Sequence, residues 1–277
     1  MIVVSAVTLL VWDSHHKAFY AQQLSQFKDE ESLLLMHLQI IEQQSLQLSR
    51  LAQSGVRNNN SNNDGEEAVD FDLIHKQTEQ LHFMEEAIYH ALLQTRIQQS
   101  ARNHIIEKFG EGPVDVVLKL DFSQMDQGNI GHDTITVRLW NDTPHAAWTW
   151  LEQIERNVWE GAQFTWQQGQ IIDVIPQKED PAGSKIEFIE QSQHGHEALT
   201  VGLRESETGE MSMYVNLQDN SSIHKHETCV GKVNDGFDTL QRVLESSRNA
   251  QSHNDSPPVI PIKRVTAMHV TQKEGKI

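Results

Sequence analysis

Residues 211–243, MSMYVNLQDNSSIHKHETCVGKVNDGFDTLQRV, decide how the second half of this 277-residue chain is read. Met211, Met213 and Val215 alternate as in a half-buried strand, and Asp219-Asn220-Ser221-Ser222 carries turn chemistry. Cys229-Val230-Gly231-Lys232-Val233 is a second short apolar run, which Asn234-Asp235-Gly236 brings to an end. Phe237, Leu240, Val243 and Leu244 then recur at helical spacing, so a strand, a loop, a strand and an amphipathic helix follow one another.

Working upstream, Ile135-Thr136-Val137-Arg138-Leu139-Trp140 alternates as another strand. Asp142-Thr143-Pro144 starts a helix that carries Ala147, Trp150, Leu151 and Ile154, and Trp159-Glu160-Gly161-Ala162-Gln163-Phe164 follows it. In order and spacing these segments resemble a cyclophilin-type peptidyl-prolyl isomerase domain. The family reads as a Gln-Phe-Phe strand, a Leu-Asp-Gly-Lys-His loop and Val-Phe-Gly-Lys-Val before a turn and helix. It also carries a proline-started helix upstream and a Tyr-x-Gly-x-x-Phe stretch leading into its active site. The matched segments cover about residues 110–277, the length of one such domain. The resemblance implies a mainly β fold, a closed antiparallel barrel with capping helices.

The resemblance also implies a pocket, and there the chain departs from the family. In an active member an arginine within Phe-x-Arg points its guanidinium at the proline imide nitrogen, weakening amide conjugation and the roughly 18–20 kcal/mol rotation barrier. The matching triplet is Phe164-Thr165-Trp166, and an indole offers one neutral donor and no charge. A gap-free pairing from Val201 to Val233 sets Val201 at the small-residue wall, Met211 at the pocket glutamine and Met213 at the phenylalanine floor. It sets Ser221 at the loop tryptophan, and only His226 keeps the family identity. The family's Gln-Gly-Gly-Asp turn is absent, and a strict count places Val174 at its glutamine. No residue is assigned as catalytic. An apolar, adaptable cavity around Trp166, Met211 and Met213 would hold an extended or proline-containing peptide without turning it over; the same three residues equally suit plain core filling.

The first half reads differently. From Ala21 to Ala52, Leu24, Phe27, Leu34, Leu38, Ile41 and Leu48 fall at a/d spacing, interrupted by Glu31 and Ser45. A second helical pattern runs from about Asp70 to Phe109, with Ile74, Leu81, Ile88 and Thr95 every seven residues. Five Asn within 58–63 mark a polar linker near 54–69. Residues 17–109 therefore read as a helical or coiled-coil stem, either a hairpin packed on itself or a rod that self-associates. The opening MIVVSAVTLLVW is apolar, but twelve residues rise only about 18 Å against a hydrocarbon core of roughly 30 Å. Residues 1–16 read either as the remainder of a signal anchor attaching the chain to a membrane, or as a buried strand or helix start. Asn-x-Ser/Thr sequons at Asn59, Asn141, Asn220 and Asn254 are compatible with an ER or Golgi lumen, and a cytoplasmic location stays open.

Charge and remaining motifs exclude several classes. Formal net charge is −17, with eight Lys/Arg against fourteen Asp/Glu in residues 1–109, leaving fourteen against twenty-five beyond. Neither half offers the basic surface that a nucleic-acid groove needs. Cys229 stands alone, so no internal disulfide forms, and its apolar run suits a small buried hydrophobe. His194/His196 and His224/His226 each repeat at i, i+2, but nothing in the sequence sets the two pairs together, and no metal or cofactor is assigned. Asp173, Glu187 and Glu190 read as solvated carboxylates. The sequence thus favours a cyclophilin-like binding or scaffolding module with weak or absent isomerase activity. A working, low-efficiency peptidyl-prolyl isomerase is the alternative, and a stem capped by an inert barrel is the third.

Overall fold

The computed structural model describes residues 32–50, 71–122, 133–167, 170–183, 185–205, 211–252 and 260–270, without the side chains of 71–74, 165–167 and 247–252. The expected membrane anchor in residues 1–16 and the Asn-rich linker lie outside the described residues. No helix among those described is long and apolar enough to cross a membrane. The chain divides into two compact units, Met1–Gln99 and Ser100–Ile277.

In the first unit, helix α1 (32–50) and the N-terminal part of helix α2 (Phe71–Phe109) lie side by side. Gln44, Gln47 and Leu48 of α1 line one cleft with Gln77, Gln80, Leu81 and Met84 of α2. The less exposed positions of α1 are Leu34, Leu38, Ile41, Ser45 and Leu48, and those of α2 include Leu81, Ile88, Leu92 and Thr95. Ile41 and Leu92 are buried. The heptad stripe read from the sequence is therefore used within the chain, joining two helices whose other faces are wet.

The last turns of α2 belong to the second unit. Ile105 and Phe109 pack against its core, His104 stacks on Trp148 at 5.2 Å, and Lys108 pairs with Glu155. Eight strands follow among the described residues: β1 (Val114–Leu120), β2 (Thr134–Leu139), β3 (Gln163–Gln167), β4 (Ile171–Ile175), β5 (Thr200–Glu205), β6 (Met211–Asn216), β7 (Thr228–Asp235) and β8 (Ile260–His269). They close into a barrel in the order β1-β2-β7-β5-β6-β4-β3-β8, every pairing antiparallel. Closure leaves no free sheet edge. One end of each strand alternation fills a single apolar core: Val116 and Leu118, Ile135 and Val137, Ile172 and Val174, Val201 and Leu203, Met211 and Met213.

Helix α3 (Pro144–Glu155) starts on the proline the sequence points to, and Ala147, Trp150, Leu151 and Ile154 are all buried. Thr143 makes no side-chain cap; the buried Glu190 supplies one from 44 residues away, its carboxylate accepting the N–H groups of His145 at 3.1 Å and Ala146 at 2.7 Å. Glu190 thus sits where the helix dipole favours an anion. Helix α4 (Phe237–Ser252) buries Leu240 and Val243, but Phe237, expected on the same face, is exposed. It occupies the first helical position, outside the contact made by the later turns. Gly236, at φ +86°, makes the break before α4, and a Cβ there would stand 2.2 Å from the Thr134 carbonyl oxygen.

Candidate functional site

The strands β4, β6, β5 and β7 are neighbours in the barrel, and their register sets Asp173 opposite Tyr214, Tyr214 opposite Gly202, and Gly202 opposite Cys229. Side chains alternate across a strand, so this row lies on the face opposite to Ile172, Val174, Met213, Val215, Val201 and Leu203. The inward row is apolar throughout. The outward row is polar and yet buried: Asp173, Tyr214 and Asn216 are 0% exposed.

Gly202 makes room for the tyrosine. A Cβ at that position would come within 2.1 Å of Tyr214 Cζ, so only a residue without a side chain lets the ring lie flat across β5. Arg204 Nη2 donates to Asp173 Oδ1 at 2.6 Å, and its guanidinium stands 5.5 Å from the Tyr214 ring centre. The phenol oxygen is 3.2 Å from His196 Nδ1, and His196 Nε2 is 3.1 Å from the carbonyl oxygen of Glu227. His224 Nδ1 lies 3.0 Å from Glu227 Oε2, with its ring 4.8 Å from that of Tyr214 and 5.9 Å from that of His196. Burial pushes the Tyr214 phenol far up, so it stays protonated, with Glu227 adding to the effect. Burial likewise lowers the pKa of His196 and raises that of Asp173 against the pull of Arg204.

Of the seven pocket positions taken from the sequence, the six whose side chains are described do not share a surface. Phe164, Val201, Met211 and Met213 belong to the barrel core, at 0–5% exposure. Ser221 and His226 are exposed on the loop between β6 and β7. Trp166 is placed by its backbone alone, in β3 opposite Ile172. Asp173 and Glu190, expected to be solvated, are 0% and 2% exposed and are held by Arg204 and by the start of α3. Of the two histidine pairs the structure buries one member each, His196 and His224, and leaves His194 and His226 exposed, with His194 stacked on Trp140. Among the described residues no group of three or more His, Cys, Asp or Glu is arranged to hold a metal ion. Cys229 is buried, its thiol pushed up to about 12 by desolvation, and so is no nucleophile at neutral pH.

The sequence reading missed the Tyr214 cluster. Its one visible signal was the Met-Ser-Met-Tyr-Val-Asn run, in which the intervening residues are polar or amphipathic instead of charged.

No family model matches the sequence, and no curated protein matches it significantly. Among solved structures the chain is similar to a cyclophilin-type peptidyl-prolyl cis-trans isomerase of Cryptosporidium parvum. The likeness has 16% identity and a TM-score of 0.44, covering 58% of this chain and 100% of that one. A second crystal structure of that isomerase, in the presence of the dipeptide Ala-Pro, gives 16% identity and a TM-score of 0.43, covering 57% and 99%.

Proposed function

We propose that the Ser100–Ile277 unit is a cyclophilin-like peptide-binding or scaffolding module with weak or absent prolyl isomerase activity. One observation carries this reading: neither of the two arginines nearest in sequence to the expected pocket is free to stand in for the family's guanidinium. The residue at the arginine position of Phe-x-Arg is Trp166, and the two arginines nearest in sequence to the expected pocket are both engaged. Arg138 forks onto Asp115 through bonds of 2.9 and 3.1 Å, and Arg204 is held by the buried Asp173. A guanidinium committed to a carboxylate has its positive charge offset, so neither arginine can direct an uncompensated charge at a proline nitrogen. Removing one preorganised donor from an electrostatic site costs on the order of 10²–10³ in rate.

The ligand this reading names is an extended or proline-containing peptide. Ser221 and His226, exposed on the β6–β7 loop, are the two of the seven positions open to such a ligand at their side chains. The test is exchange NMR on an Ala-Pro peptide mixed with the full chain at high concentration. The expected result is peptide shift changes without faster cis/trans exchange. Clear acceleration that is lost in Trp166→Ala or His226→Ala overturns the inactive reading, and the absence of any peptide shift at millimolar concentrations overturns the binding one.

A further inference from the structure

Helices α1 and α2 carry a second seam beside the one that joins them. The cleft where Gln44 and Gln47 meet Gln77, Gln80 and Met84 holds about 350 Å³ and marks one side of both helices. Along α1, steps of three and four from Gln47 reach Gln44, Ile40, His37 and Leu33; along α2, the same steps from Gln77 reach Gln80, Met84, Ala87, Ala91 and Gln94. Members of this row stand one residue before positions of the less exposed stripe: Leu33 before Leu34, Ile40 before Ile41, Ala87 before Ile88. A helix with two adjacent seams contacts two neighbours, as at the corner of a four-helix bundle. Between them, α1 and α2 supply only one.

The second seam is exposed, apolar in its middle and free of carboxylates. Ile40 is 44%, Leu33 49% and Met84 50% exposed, Ala87 lets another helix come close, and glutamines flank them. The opposite side of the same helices also shows large apolar side chains, Leu46 and Tyr89, but Glu42 lies one turn before Leu46 and Glu86 one turn before Tyr89. In a chain of net charge −17, a copy docking there sets carboxylate against carboxylate, whereas the second seam brings no Asp or Glu to the contact. A glutamine amide both donates and accepts, so a row of glutamines is complementary to its own copy. Size is sufficient as well. The length of α1 is about 28 Å, two helices about 10 Å across give a face of roughly 560 Å², and apposing two faces buries about 1,100 Å², above the roughly 1,000 Å² that a specific interface needs.

We propose that this seam docks a second copy of the chain, two α1–α2 pairs facing each other about a two-fold axis and closing a four-helix bundle. The inference is independent of the peptide-binding reading, because every residue it uses belongs to the Met1–Gln99 unit.

Sedimentation equilibrium of the full chain across micromolar concentrations tests this, and the expected mass is twice the 31.6 kDa of one chain. The double variant Ile40→Glu, Ala87→Glu changes two exposed helical positions and places four carboxylates in a two-fold contact. It is expected to weaken association by roughly a hundredfold or more, with helix content by circular dichroism unchanged. The double variant Leu46→Glu, Tyr89→Glu puts the same charge on the opposite side and is expected to leave the dimer intact. A single-chain mass at every concentration overturns the proposal, the outcome if residues 1–31 cover the seam instead. So does a dimer whose affinity is unchanged by Ile40→Glu, Ala87→Glu, or one that both double variants dissociate to the same extent.

Discussion

The inward and outward faces of β4, β6 and β5 come from the same strands, one residue apart, and obey opposite rules. Inward, Ile172, Val174, Val201, Leu203, Met213 and Val215 hold together by apolar burial, in which a lost methylene costs packing and little else. Outward, Asp173, Tyr214 and the imidazoles of His196 and His224 are also shut from water, with Arg204 half-buried beside them, and there each group depends on a named partner. Apolar packing degrades by degrees, whereas a buried polar set fails at whichever member is left alone.

The sharpest way to break that contrast is to remove one member of the outward pair. Arg204→Met leaves the fully buried Asp173 carboxylate without its guanidinium and is expected to cost about 3–5 kcal/mol in denaturant unfolding. Asp173→Asn is expected to cost less, because the Arg204 side chain is 27% exposed and water can take over its solvation. Equal costs would mean that the Asp173 charge is solvated by something other than Arg204. On the inward face, Met213→Ala is expected to cost about 2–5 kcal/mol, set by the cavity it leaves. A loss under 1 kcal/mol would show that the core collapses around the site and is less tightly packed than its burial implies.

That pair of faces also explains what could and could not be read in advance. The strands over 135–140, 211–216 and 229–233, the helix beginning at Pro144 and the helix from residue 71 to Phe109 follow from alternation, turn residues and helical spacing, which are local. Which face of a strand meets a ligand is not local. Met211, Met213 and Val201 take their pocket positions from a gap-free pairing, and because side chains alternate with a period of two, such a pairing fixes a strand's facing only if its register holds to the single residue. The buried carboxylates were illegible for a related reason. Asp173 meets Arg204 across 31 positions and Glu190 caps a helix that begins 46 residues earlier, so nothing adjacent in the sequence marks either as more than a surface charge.

Gly202 is the position where the two faces are most tightly coupled, since it lies between Val201 and Leu203 of the core and under the Tyr214 ring. Gly202→Ala places a methyl within 2.1 Å of Tyr214 Cζ and within 2.3 Å of its oxygen, so the ring must leave its bed. The expected cost is about 1–3 kcal/mol, accompanied by loss of the Tyr214–His196 contact. Near-ultraviolet difference spectra of the tyrosine report it directly: destabilisation with an unchanged tyrosine environment would mean that β5 shifts as a whole and the ring does not.

The smallest expected effect comes from protons, and its sign differs between groups. His145 in the first turn of α3 accepts the Glu187 N–H at Nε2, at 3.1 Å, and stacks on Phe188. Burial lowers its pKa against the opposite pull of Glu187 and Glu152, as burial lowers that of His196. Lowered histidines bind more protons unfolded than folded, so stability rises with pH and is lost as pH falls below the ordinary value near 6.5, by at most about 1.4 kcal/mol per pH unit for each. Asp173 runs the other way: its raised pKa means that the folded state binds the extra proton, so its term improves as pH drops toward the ordinary carboxylate range. Unfolding midpoints measured from pH 7.5 to 5 should therefore decline for the unaltered chain and decline less for His145→Gln, which keeps an acceptor for the Glu187 N–H and cannot be protonated. An identical slope in that variant would show that His145 takes up its proton without breaking the Glu187 bond, and the acid sensitivity of the barrel would then rest on the outward face alone.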